Sequence, residues 1–177
     1  MKKAFIAAAL TWAVAMAFAT LTAARPDASP AMYVVAVAVY GAGSIICHQL
    51  PGRTFHVGSA QMPVCARCTG IYAGAAMAAV VLLTGTGRQS GGRARIRADR
   101  LRVLAAALPT VVTLLFEWST GSTPSNTVRA LAGFPLGAAV AWVIGSSLGA
   151  GAHRVPASRV PRAAAARGGP SRERSGA

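Results

Sequence analysis

The sequence predicts an all-α, polytopic integral membrane bundle of four or five transmembrane helices. Three observations predict it. The chain is 54% hydrophobic yet only 12% charged, about half the charged share of an ordinary soluble domain. Its 18 Lys and Arg face only 4 Asp and Glu, for a net charge of +14. The charges are also segregated. Arg88, Arg93, Arg95, Arg97, Arg100 and Arg102 form one cluster, and Arg154, Arg159, Arg162, Arg167, Arg172 and Arg174 another. Long apolar runs separated by basic loops are the pattern of a multi-pass membrane protein.

Five segments approach the roughly 20 apolar residues that a bilayer crossing requires. The first runs from about Ala4 to Ala24, behind Lys2 and Lys3. Its small-residue exit at Leu21–Ala24 also fits a secretory signal peptide, but its length favours a retained helix. Residues 1–30 thus form a hydrophobic segment and a linker, Arg25–Pro30. The second segment, about Ala31–Cys47, is short for a span. The third is expected over Thr69–Thr84, the fourth over Leu101–Trp118 and the fifth over Val128–Ala150. The turn Thr120–Asn126 (TGSTPSN) joins the last two and ends in helix-capping residues. Residues 31–151 form the membrane domain, and 152–177 read as a disordered basic tail.

Positively charged loops favour the cytoplasm. Two helices separate the Arg clusters, so both can lie there. The Cys/His loop between the second and third helices then faces outward. With five crossings Lys2 and Lys3 would also lie outside, against the rule. A re-entrant or interfacial first segment removes the conflict. The Arg-rich loop and the tail are expected to meet anionic lipid through charge. Nucleic acid is not an expected partner, because the tail has no aromatic platform for bases.

The chemistry is concentrated in Cys47–Gly74, CHQLPGRTFHVGSAQMPVCARCTGIYAG, which holds all 3 cysteines and two of the 3 histidines. Thiolate and imidazole bind soft and borderline metals, and two intervening residues let both sulfurs of a CxxC reach one ion. The candidates are Cys47, His48, His56, Cys65 and Cys68. Adjacent residues on extended or helical backbone point apart, which hinders Cys47 and His48 from sharing an ion. That leaves Cys47, His56, Cys65 and Cys68, or His48 with the two distal cysteines and an open position. Zn(II) suits such a set, with Fe and Cu as alternatives. A redox reading competes: Cys65 and Cys68 as a disulfide, Cys47 as the third thiol, and Arg67 favouring the thiolate. An odd cysteine count argues against a pure disulfide framework.

Around this motif, Pro51, Gly52 and Pro63 shape the loop. Arg53 reads as an interfacial anchor. Glu117, beside the interfacial Trp118, is expected to pair with Arg129 across the turn. Gly70 and Gly74, like Gly133 and Gly137, have a small-xxx-small spacing that allows close helix contact and carries little weight for dimerisation.

The strings CHQ-x-P-x-R-T-F and G-x-x-Q-x-P-V-C-A-R-C-T-G-I-Y-x-G resemble the signature of the domain of unknown function 2085 family of small prokaryotic membrane proteins. Ser125, Asn126 and Arg129, followed by Gly133 and Gly137, resemble its second block. The resemblance implies the ligand set Cys47, His48, Cys65 and Cys68, with Arg53, Arg67, Glu117, Asn126 and Arg129 in support. His56 matches no fixed family position and becomes a substitute ligand. A kink after the second helix would be needed for Cys47 and His48 to act together. The resemblance implies no activity. A metal-binding membrane protein is the leading expectation. The alternatives are a thiol–disulfide oxidoreductase using the CxxC, and a small transporter, which would require a homo-oligomer. No nucleotide loop, HExxH, nucleophile elbow or EF-hand pattern is present.

Overall fold

The computed structural model describes residues 1–84 and 93–150. Arg88 and the expected disordered tail, 152–177, lie outside these residues. Five α-helices follow in order: α1 (Lys2–Ala23), α2 (Pro30–Ile46), α3 (Ala66–Leu83), α4 (Arg93–Thr120) and α5 (Asn126–Ala150). Between α2 and α3 lie a 3-10 turn (Pro51–Arg53) and a two-stranded antiparallel hairpin, β1 (His56–Val57) and β2 (Ala60–Gln61). Gly58, with φ +60, turns the hairpin at a position where a side chain would be strained.

α1, α3, α4 and α5 are long and apolar enough to cross a membrane, whereas α2 is shorter. Their surfaces match that reading. On α4, Leu101, Leu104, Leu108, Val112, Leu115 and Trp118 are all exposed, at the spacing of one helix face. An exposed apolar stripe suits lipid as its neighbour.

α3 and α5 pack backbone to backbone. A Cβ at Gly70 would overlap the Ala130 carbonyl, and one at Gly74 the Phe134 carbonyl. Reciprocally, a Cβ at Gly133 would meet the Arg67 carbonyl and one at Gly137 the Ile71 carbonyl. Both glycine pairs are therefore used within one chain. α4 joins this pair through α5, where the Thr110 hydroxyl donates to the Ala132 carbonyl at 2.8 Å. At the far end of the bundle Arg95 pairs with Asp99 at 3.3 Å and donates to the Ser146 hydroxyl at 2.8 Å.

α1 runs antiparallel to α3. Ile6 packs with Ala79 and Leu82, and Trp12 meets Tyr72 edge-on with ring centroids 5.9 Å apart. The carboxyl end of α1 thus reaches the end of the bundle where α3 begins, and it touches both strands of the hairpin. α2 starts at this same end, with the Tyr33 hydroxyl donating to the Arg25 carbonyl at 2.6 Å. It also finishes there, at Cys47. Midway it crosses α1, with Ala36 and Val39 against Ala19. α2 has 17 residues, about 25 Å, shorter than the other four helices. The first segment, expected as a retained helix, is α1, one of the four helices long and apolar enough to cross a membrane.

Two boundaries also move. α4 begins eight residues before the expected Leu101, so Arg93–Arg100 are helical rather than loop. Arg is a good helix former, and 28 residues span about 42 Å, longer than the hydrocarbon core. α3 begins at Ala66 rather than Thr69, which puts Arg67 and Cys68 on its first turn.

Candidate metal centre

The site forms where α2 ends and α3 begins. Cys47 leaves α2 with extended backbone, φ −139 and ψ 137. Gln49 then adopts φ 47, a left-handed conformation that costs a non-glycine residue energy. Its side chain holds it there. Nε2 donates to the Tyr40 carbonyl at 2.9 Å and the Pro63 carbonyl at 2.8 Å. Gln61 Nε2 donates to the Gln49 carbonyl at 3.2 Å, and the Tyr40 hydroxyl donates to the Gln61 carbonyl. Gly43 permits this closure, since a Cβ there would overlap the Pro63 carbonyl oxygen. Fully buried Thr54 donates to the Leu50 carbonyl at 2.8 Å. Its own carbonyl accepts from Asn126 Nδ2 at 3.0 Å, which ties the loop to α5.

Pro63 keeps the chain extended, and α3 starts immediately after Cys65. Cys65 occupies the helix cap and Cys68 lies three residues on, so both face the same way. The Sγ atoms of Cys47, Cys65 and Cys68 all lie within 4.8 Å of one another. A tetrahedral ion with bonds of about 2.3 Å to sulfur needs its thiolates about 3.8 Å apart. The three sulfurs fit such an ion after a small contraction. The Cys65 amide donates to Cys47 Sγ at 3.2 Å, a bond that favours the thiolate and fixes its orientation. The Cys65 thiol is pulled down to about 5, chiefly by a hydrogen bond from Cys68, with smaller help from Cys47 and the Arg67 and Cys68 amides, against partial desolvation. The helix N-terminus acts in the same direction.

The histidines are placed differently. His48 is exposed and lines the cavity beside the sulfurs without joining their group. Neighbouring side chains on extended backbone diverge, and Cys47 is extended. His56 sits exposed on β1 and neither joins the sulfurs nor lines the cavity.

Beside the sulfurs lies a carboxylate held by arginines. Glu117, near the end of α4, accepts from Arg129 Nε at 3.1 Å and Arg129 Nη2 at 2.8 Å. It also accepts from Arg67 Nη2 at 2.6 Å, while the same nitrogen approaches the Thr113 hydroxyl at 3.3 Å. Arg53 stands farther off, 3.8 Å from Glu117. The expected partner Arg129 is present, and Arg67 joins it. Sequence reasoning placed Arg67 as an aid to the thiolate, because a ligand loop does not reveal that the next turn of helix faces α4. Gln49 and Gln61 were missed as clamps. Their signal was their place in the two motif strings, CHQ-x-P and G-x-x-Q.

A cavity of about 270 Å³ joins the two groups, lined by Cys47, Cys65 and Cys68 on one side and Arg53, Arg67 and Arg129 on the other.

Residues 47–143 match the family model described as "Predicted membrane protein (DUF2085)". The chain is similar to an uncharacterised protein of Methanocaldococcus jannaschii, 40% identical over 47 residues, which cover 27% of this chain and 30% of the relative. It is also similar to an uncharacterised protein of Methanothermobacter thermautotrophicus, 60% identical over 30 residues, 17% of this chain and 27% of the relative. The chain thus spans about three-tenths of the length of these curated relatives. No solved structure matches it.

Proposed function

The chain belongs to the DUF2085 family of predicted membrane proteins, and we propose that its role there is to bind one thiophilic metal ion, Zn(II) foremost, through Cys47, Cys65 and Cys68. The observation that carries this reading is the convergence of three sulfurs, drawn from two separate segments, to within 4.8 Å. A structural zinc site is normally closed by four protein ligands, whereas three ligands leave a position for water or substrate. The cavity that Cys47, Cys65 and Cys68 line would give such a water or substrate room. His48 lies close by and can supply the fourth bond after the kink that the family pattern implies. The Gln49 and Gln61 clamp holds the ligand loop in place.

The membrane arrangement is part of the proposal. With α2 lying across the end of the bundle, four crossings remain. Lys2, Lys3, the Arg-rich segment and the tail then share one side, as the positive-inside rule demands. That side is the cytoplasm, and the metal centre lies at the outer face.

The test is metal content by mass spectrometry on detergent-purified protein, with thiols titrated in parallel. We expect about one equivalent of metal in the wild type. Cys47→Ser, Cys65→Ser and Cys68→Ser should each lose it, and His56→Ala should retain it. A metal-free wild type with one free thiol of three would overturn the reading. It would favour the second one, a thiol oxidoreductase, for which the lowered Cys65 thiol is the supporting observation. The transport reading is weaker, because Glu117 and Arg129 satisfy each other in a buried pair.

A further inference from the structure

The arginines beside the sulfurs exceed what their carboxylate can use. Arg53, Arg67 and Arg129 carry three positive charges against one on Glu117. Both oxygens of Glu117 are taken by Arg129, and Oε1 also by Arg67. Arg53 Nη1, at 3.8 Å, lies beyond hydrogen-bonding distance. Its side chain remains 45% exposed at the rim. Arg67 Nε is buried with no partner among the described residues. All three arginines line the same cavity.

A surplus of cations gathered at one half-open cavity, two of them on largely buried side chains, favours an anion entering it. The surplus does not depend on the metal. With neutral thiols the group carries +2, and with a divalent ion on three thiolates, itself −1, it still carries +1. We infer that this cavity is a binding site for a phosphate-type oxyanion, held by Arg53 and Arg67 with Arg129 behind them. Planar guanidinium groups offer paired donors that match the oxygens of a phosphate. About 270 Å³ corresponds to the volume of roughly nine waters. That admits a phosphate together with the first atoms of an ester. The group comes either from a free anion or from the headgroup of an anionic lipid, since the site lies at one end of the membrane helices.

The experiment uses the full chain in two arms. In the first, inorganic phosphate is titrated into detergent-purified protein by calorimetry, with and without bound metal. In the second, protein in nanodiscs of mixed phosphatidylglycerol and phosphatidylcholine is examined by native mass spectrometry for retained lipid. Arg53→Gln removes the rim cation, which is tied into no buried pair. Arg25→Gln removes an exposed cation at the same end of the bundle but outside the cavity, as a control. Circular dichroism and metal content of both variants establish that fold and metal site persist. We expect saturable binding in one arm, weakened roughly tenfold or more in Arg53→Gln, the worth of one charge-assisted hydrogen bond, and unchanged in Arg25→Gln. Phosphate binding identifies a free anion, and retained phosphatidylglycerol identifies a headgroup. Absence of binding in both arms, or equal weakening by both substitutions, overturns the inference.

Discussion

Replacing Glu117 by Gln is the sharpest test of the arginine cluster. The substitution keeps the volume and one carbonyl acceptor but removes the charge. The carboxylate side chain is 6% exposed, and that of Arg129 only 3%. Three hydrogen bonds of 2.6–3.1 Å converge on it. In Glu117→Gln the Arg129 guanidinium stays buried without a counter-charge. Removing one partner of such a pair costs about 3–5 kcal/mol, which is between about a hundred- and a few-thousand-fold in the folding equilibrium. By contrast Arg53→Gln, at a half-exposed side chain, should cost at most about 1 kcal/mol. The assay is reversible unfolding in mixed micelles by SDS titration, followed by circular dichroism. The double variant Glu117→Gln/Arg129→Gln should lose less than the sum of the single losses, because neither charge is left alone. If Glu117→Gln unfolds at the wild-type SDS fraction, the carboxylate is solvated and the argument fails.

Other expectations follow from the packing, the thiols and the topology. Gly70→Val should cost about 1–3 kcal/mol or more by driving α3 off the α5 backbone. Gly41→Ala, which meets open space, should stabilise by up to about 1 kcal/mol through helix propensity. The same SDS titration measures both, and equal effects would refute the close approach. In metal-free protein, carboxymethylation of Cys65 should rise with pH through about 5 instead of the ordinary thiol range near ~8.5. Peptide mapping of the alkylated residue follows it, and a profile rising only above the ordinary range would contradict the lowered thiol. Reporter fusions at Met1 and Ala177 should report one side of the membrane, and an epitope at Ser59 the other. Opposite sides for the two ends would mean that α2 crosses.

Composition alone pointed to a membrane, because an ordinary soluble domain carries about twice this charged share and lacks such long apolar runs. The cysteine spacing likewise marked where the three thiols would gather. A CxxC after a proline and a Cys after an apolar helix are local signals, and they need no knowledge of the fold. The pairing of Glu117 with Arg129 was legible for the same reason, since a short turn separates them. Other features were decided only by tertiary structure. Gly70, Gly74, Gly133 and Gly137 announce a close helix contact but not whose helix it is. Only the packed bundle assigns α3 to α5. Arg67 reads as a neighbour of the thiolate until the first turn of α3 aims it at α4. α2 has the composition of a span, and its apolarity is the same whether it crosses or lies flat. Contacts at its two ends, Tyr33 to Arg25 and Gln49 to Pro63, are what orient it against the rest of the bundle. Hydrophobicity has no direction, so a sequence can reveal which segments leave water but not how they lie once they have left it. Hydrogen bonds and backbone contacts have direction, and they orient what the apolar pattern merely gathers.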